Sequence, residues 1–195
     1  MSKVTNAQVR EAIEKMLEQR KKRKFVESVD LQVMLRDYNP EKDKRFNSTT
    51  VLNHPVKSNL KICLIGTIKH LDKSKDLDIE KTNIDDLKKF NREAKLIKKW
   101  ARRFDVILVS ESISRDVTKL IGRYVTQIGK LPVPLAENED VAEKIEELKK
   151  TIRFRVKKFP WLAQSVGIDS LDPEDIRQNI TKSLNFLASL LPKGW

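Results

Sequence analysis

Side chains that carry out catalysis are sparse in this sequence, and they are scattered. Its only two histidines are His54, beside Pro55 in a turn, and His70, in what reads as a polar loop. Neither has a cysteine, histidine or acid at ligand spacing, so both are expected at the surface. Cys63 is the only cysteine and lies in the apolar run Lys61-Ile62-Cys63-Leu64-Ile65. It has no partner for a disulfide or a zinc site, and a buried thiol is expected. Ser110-Glu111-Ser112 follows an apolar strand, where α/β folds place ligands, but the Gly-x-Ser-x-Gly frame of a nucleophile elbow is missing. Capping of the next helix is its expected role. Gly66 stands alone after another strand, and Gly122 and Gly129 precede Lys130 with no hydroxyl after it, so neither glycine-rich phosphate loop is present. No catalytic residue, metal ligand or cofactor is expected, and a nucleotide-binding enzyme is the least favoured reading.

Polyanion binding asks for simpler parts, and these are abundant. Forty Lys and Arg against 28 Asp and Glu give a net charge of +12, spread along the whole chain. RNA recognition uses cations for phosphates, small polar groups for sugar hydroxyls and rings for bases. Lys24-Phe25 before a predicted strand and Lys42, Lys44, Arg45 and Phe46 after it supply all three at the two ends of one element. The basic run Arg20 to Lys24 fits an import signal, a phosphate contact or a solvated helix end. No stretch approaches a membrane span, and the first 24 residues hold no signal-peptide apolar block, so an intracellular protein with no membrane partner is expected.

The elements that must position these groups follow from periodicity. Thr5-Asn6-Ala7-Gln8 fits a capping box, and Val9, Ile13, Met16 and Leu17 share one face of a helix running to about Arg20. Val29, Leu31, Val33 and Leu35 alternate with polar residues as a half-buried strand, and residues 48–52 read as a second. Residues 60–65 and 105–109 are nearly continuous apolar runs, suited to a parallel sheet covered on both faces. Between them one helix is expected from Ile84 to Arg103. Helices are also expected after Ser112 and over 137–150. At Thr151 alternation returns, with Ile152, Phe154 and Val156 inward and Arg153, Arg155 and Lys157 on a basic face. Asp172-Pro173-Glu174-Asp175 then starts a helix buried through Ile176, Ile180, Leu184, Leu187 and Leu191.

An antiparallel pattern at both ends with an α/β pattern between them predicts an α/β protein of two domains. A split α+β domain is built from residues 1–56 and 151–195, with an inserted Rossmann-like α/β domain at 57–150. Two crossings of the chain between them act as a hinge.

Arg23 to Val33 and Tyr38-Asn39-Pro40-Glu41-Lys42-Asp43-Lys44-Arg45-Phe46 together resemble the first-domain signature of the L-one family of large-subunit ribosomal proteins, in its eukaryotic form. Ser110-Glu111-Ser112, Gly129-Lys130-Leu131-Pro132, Glu137-Asn138-Glu139, Thr151-Ile152-Arg153-Phe154 and Asn185 to Leu191 continue the resemblance in order along nearly the whole chain. It implies the two-domain fold above. It also implies a structural rRNA-binding role: holding the mobile rRNA side stalk near the exit site for deacylated tRNA, on cytoplasmic ribosomes, after passage through the nucleus during assembly. Expected partners are that rRNA, other ribosomal components and exit-site tRNA. Some family members also act as free translational regulators, an alternative the sequence leaves open. The resemblance carries over RNA contacts to Phe25, Glu27, Ser28, Lys44 and Arg45, while Lys24, Lys42 and Lys158 join them on charge and position. Glu27 serves either by accepting from a ribose hydroxyl or orienting a nearby cation, or as a plain strand-edge salt bridge. Two departures stand out. The family's last strand and Ser/Thr-Met-Gly loop would follow Trp195; either the lineage has lost them or the chain is truncated, and a loss leaves a sheet edge open and removes an RNA contact. Residues 122–127 also differ from the usual glycine- and proline-containing loop.

Overall fold

Helix α1, Asn6–Gln19, starts where its capping box satisfies both ends of a reciprocal pair. Thr5 Oγ1 accepts from the Gln8 amide at 3.4 Å, and the Thr5 amide donates to Gln8 Oε1 at 2.9 Å. The computed structural model describes residues 4–21, 23–43, 45–74, 77 and 79–191. The fold is mixed α/β, with the N- and C-terminal helices packed together. The chain divides into two compact units, Met1–Ser58 with Glu147–Trp195, and Asn59–Glu146.

In the first unit, β1 (Ser28–Met34) pairs antiparallel with β8 (Trp161–Ile168), and β2 (Asn47–Val51) pairs antiparallel with β7 (Thr151–Arg155). Helix α8, Pro173–Leu190, begins with Asp172 at the N-cap, Pro173 next, and Glu174 and Asp175 in the first turn. Asp172 makes no side-chain cap bond; the acids act through the helix dipole. Val9 and Ile13 of α1 meet Val29, Val166 and Ile176 in one apolar cluster. Leu187 of α8 meets Leu35, Ile152, Phe154, Val156 and Leu162 in another. Each such buried side chain stabilises the fold by roughly 1.5–3 kcal/mol. The helices thus cover one face of the strands. Alternation turns Ser28, Asp30, Gln32 and Met34 of β1 outward.

One register slip interrupts the β1–β8 ladder. Val29 faces Gly167 and Asp30 faces Ser165, leaving Val166 as the extra residue of a bulge. Asn179, fully buried on α8, donates to the Val166 carbonyl at 2.9 Å. The same side chain holds both backbone groups of His54 at 3.2 Å. His54 is half-buried, 3.4 Å from Asp175 and 3.3 Å from Gln178, a more sheltered place than a surface turn.

The second unit is built on a four-stranded parallel sheet in the order β4 (Glu80–Thr82), β3 (Ile62–Ile65), β5 (Val106–Ser110), β6 (Val133–Leu135). Helices α2 (Ile68–Lys73), α5 (Glu111–Val117) and α6 (Arg123–Ile128) alternate with it, α7 (Val141–Lys150) begins in this unit and ends in the first, and a π-helical turn, Thr118–Gly122, joins α5 to α6. The single helix expected over 84–103 is two: α3 (Ile84–Lys88) and α4 (Ala94–Ala101). Asn91 and Arg92 take left-handed φ angles of 45° and 59°, which no α-helix accommodates. The apolar stripe survives the break because Leu87, Phe90, Ile97 and Trp100 still enter one core.

Lys130 ends this region. Its ammonium donates to the carbonyls of Ala101 (3.1 Å), Arg102 (3.3 Å) and Phe104, closing the C-terminus of α4. His70 corrects the surface reading made from sequence, being only 2% exposed. It sits on α2 with Nδ1 2.5 Å from Ser110 Oγ. Ser110 therefore spends its hydroxyl on His70 and on the Thr67 amide at 3.4 Å, and makes no helix cap. Cys63 is fully buried beside Thr82, and burial pushes its thiol up to about 11.

Candidate nucleic-acid interface

The residues singled out for RNA contact fall at the two ends of β1. At its start Lys24, Phe25 and Ser28 are exposed, with Phe25 62% exposed. The Arg23 guanidinium lies 5.8 Å from the Phe25 ring centroid, and its Nε is 3.3 Å from Glu27 Oε1. One cation therefore touches both the ring and the carboxylate. The Glu27 carbonyl accepts from the Asp169 amide at 2.9 Å, fixing this end against the strand that follows β1 in space. Glu27 is thus paired with Arg23 through Oε1.

At the other end a turn is tied to itself. The Asn39 amide donates to Asp43 Oδ2 at 2.7 Å, the Glu41 amide to Asn39 Oδ1 at 2.9 Å, and Arg45 Nε to the Pro40 carbonyl at 2.7 Å. Tyr38 and Phe46 meet edge-to-face at 6.3 Å beneath it. Burial, then Asp43, push the Tyr38 phenol above its ordinary value, with Arg45 opposing. Lys42 and Arg45 are exposed on this turn; Lys44 lies outside the described residues.

Lys158, also exposed, sits in the connection between β7 and β8. That connection is joined to the same end by bonds from the Leu35 amide to the Pro160 carbonyl (2.7 Å) and from the Val156 amide to the Phe46 carbonyl (3.2 Å). These bonds hold the connection that carries Lys158 to the end of β1 from which the chain runs on to Lys42 and Arg45, whereas Lys24, Phe25, Glu27 and Ser28 lie at its start. The seven residues of β1, which opens with Ser28, span roughly 23 Å.

Sequence reasoning left other residues out. Arg153 and Arg155 project from β7 opposite Thr49 and Asn47, and Arg153 Nε donates to Asn47 Oδ1 at 2.6 Å. With Lys157, Phe159 and Trp161 they line a hollow of ≈ 340 Å³. The alternation after Thr151 signalled the basic face. Nothing in the sequence marked Phe159 and Trp161, because a ring destined for solvent reads the same as one destined for the core.

Among the described residues no three acids, histidines or cysteines are placed to hold a metal, and no helix is long and apolar enough to cross a membrane. The ribosomal protein L1p/L10e family matches residues 17–195. The chain belongs to this family. It is similar to large ribosomal subunit protein uL1 of Candida albicans, 39% identical over 198 residues that cover 100% of this chain and 91% of that protein. Protein uL1B of Schizosaccharomyces pombe is 40% identical over 197 residues with the same coverage. Protein uL1 of Neurospora crassa is 38% identical over 198, again with 100% of this chain and 91% of that protein covered. The L1p/L10e match opens at Leu17, so both ends of β1 and the β7–β8 connection fall inside it.

Proposed function

We propose that this chain is a structural rRNA-binding protein of the large ribosomal subunit that holds a mobile rRNA side stalk near the path by which deacylated tRNA leaves. The observation that carries the reading is similarity over the full chain to proteins named as large-subunit components. Membership of a ribosomal protein family makes the chain a ribosomal component and not an enzyme. Its working place is then the cytoplasmic ribosome, reached after assembly in the nucleus.

The geometry supports RNA contact through the first unit. Lys24, Phe25, Glu27 and Ser28 at one end of β1, and Lys42, Arg45 and Lys158 toward the other, offer cations, a ring and small polar groups to two parts of a folded RNA, with Lys44 added by the resemblance alone. Residues 57–150 serve as a Rossmann-like domain inserted into that discontinuous RNA-binding domain, a reading supported by the all-parallel sheet with helices between its strands. Sedimentation tests the function. The chain is expected to co-migrate with large subunits at moderate salt. Recovery only in ribosome-free fractions would favour a free translational regulator instead.

A further inference from the structure

The outward face of the β1–β8 and β2–β7 pairs ends in a cluster that folding alone does not account for. Phe159 is 63% exposed, Trp161 57%, and Met34, directly opposite Trp161 in the register, 77%. Large rings left side by side in water mark a binding surface more often than chance exposure does. Beneath them Phe154 and Leu162 belong to the core, so the floor of the hollow is rigid. Around the rings stand Arg153, Arg155 and Lys157, and no acidic residue lines the hollow. A protein-binding patch concentrates apolar area and excludes charge from its centre. Here like-signed cations surround the rings, which favours a polyanion with stackable faces.

We propose that this hollow binds an unpaired RNA segment, its bases stacked on Phe159 and Trp161 and its phosphates held by Arg153, Arg155 and Lys157. The inference rests on the reading of the chain as an rRNA-binding protein and adds a single-strand subsite to it. Arg153 and Arg155 lie two residues apart on one face of β7, about 6.6 Å by strand rise, on the order of one nucleotide of an extended strand. Arg153 spends Nε on Asn47 and keeps the two terminal nitrogens of its fork for a phosphate. A duplex does not fit, because its bases are already stacked and its grooves withhold their faces.

The test uses the full chain with three probes: a ten-nucleotide oligouridine, an RNA duplex of ten base pairs, and purified large-subunit rRNA, each titrated at several salt concentrations. Preference for oligouridine over the duplex is expected. Phe159→Ala with Trp161→Ala is expected to weaken oligouridine binding at least about fivefold, the low end of stacking on one ring, with the salt slope unchanged. Replacing both rings by Leu keeps apolar bulk without π faces and is expected to weaken it similarly, which separates stacking from misfolding. Arg155→Ala with Lys157→Ala is expected to weaken binding and flatten the slope by about 1.4, since each single-strand phosphate contact contributes about 0.7.

Unchanged oligouridine binding by either ring variant overturns the subsite, while retained rRNA binding by the wild type leaves the proposed function standing. Failure of the wild type to bind rRNA removes the proposed function itself. A ring variant that binds oligouridine like the wild type but no longer joins large subunits makes the patch protein-facing, which also overturns the proposal.

Discussion

Asn179→Ala should weaken the first unit more than any surface change, by an amount set by three hydrogen bonds. The amide accepts from the His54 N–H and donates to the carbonyls of His54 and Val166, at 3.2, 3.2 and 2.9 Å. Val166 is the bulged residue with no partner in the β1–β8 register, so Asn179 takes the place of a ladder donor there. At about 1 kcal/mol net for each bond, the loss is about 3 kcal/mol, with a small cavity adding to it. Hydrogen exchange reads this locally: protection of β8 and of residues 52–56 should fall about a hundredfold, while β3 and β5 of the second unit stay as they were. Asn179→Leu keeps the volume but none of the bonds, and should lose most of the same protection. A fall of less than about fivefold for Ala, or wild-type protection for Leu, would mean that the Asn179 amide does not hold this region, because water or local relaxation would then have replaced it at little cost.

Lys130→Met keeps the aliphatic stem and deletes the ammonium that closes α4; a loss of about 2–3 kcal/mol is expected for charge-assisted bonds, read as a lower urea midpoint for the second unit. Cys63, pushed up to about 11 by burial, should resist iodoacetamide at pH 8 in the native chain and react at once in urea, as mass spectrometry would show. Hydrogen bonds from Arg177 hold the Glu174 carboxyl down at about 2, with Arg10 adding to them. Because the folded value is depressed, the stabilisation is present above the ordinary value of 4.5 and is lost as pH falls through about 2. The stability gap between wild type and Glu174→Gln should therefore be level above pH 4.5 and close below it, and salt should narrow it at every pH. For RNA, Lys24→Ala with Lys42→Ala should lower the salt slope of rRNA binding by nearly two, whereas Phe25→Ala should weaken binding with the slope kept. Lys95→Ala with Lys99→Ala on α4 is the comparison expected to matter least; a larger loss there would put the RNA on the other unit.

Local signals were the ones that could be read. The capping box at Thr5 and Gln8 involves residues three apart, and the alternation of β1 and β7 records burial on one face directly. Strand β8 gave no such signal, because Ala163, Gln164, Ser165 and Gly167 dilute its apolar positions and the bulge at Val166 shifts their parity. Its place comes from β1 on one side and α8 on another, both remote in sequence. The break between α3 and α4 was hidden for the opposite reason: the apolar stripe is continuous, and only the left-handed Asn91 and Arg92 interrupt the helix. His70 sits between Lys69 and Leu71-Asp72-Lys73, a polar neighbourhood, and is buried by a serine forty residues away. At the candidate interface, the sequence set Lys24-Phe25 and Lys42, Lys44 and Arg45 at opposite ends of one strand, but gave no place to Lys158. The connection that carries Lys158 is tied to the far end of β1 by the Leu35 and Val156 backbone bonds, which no sequence pattern encodes.

The length of β1 has a kinetic consequence under the proposed reading. Two modest contact sites about 23 Å apart on a stiff bar behave as a chelate. An RNA that lets go at the Phe25 end is still tethered at the Lys42 end, at an effective concentration on the order of millimolar, and recaptures faster than it escapes. Residence time then depends on the stiffness of the bar more than on the strength of either grip. A partner that must move while staying attached can release one grip at a time.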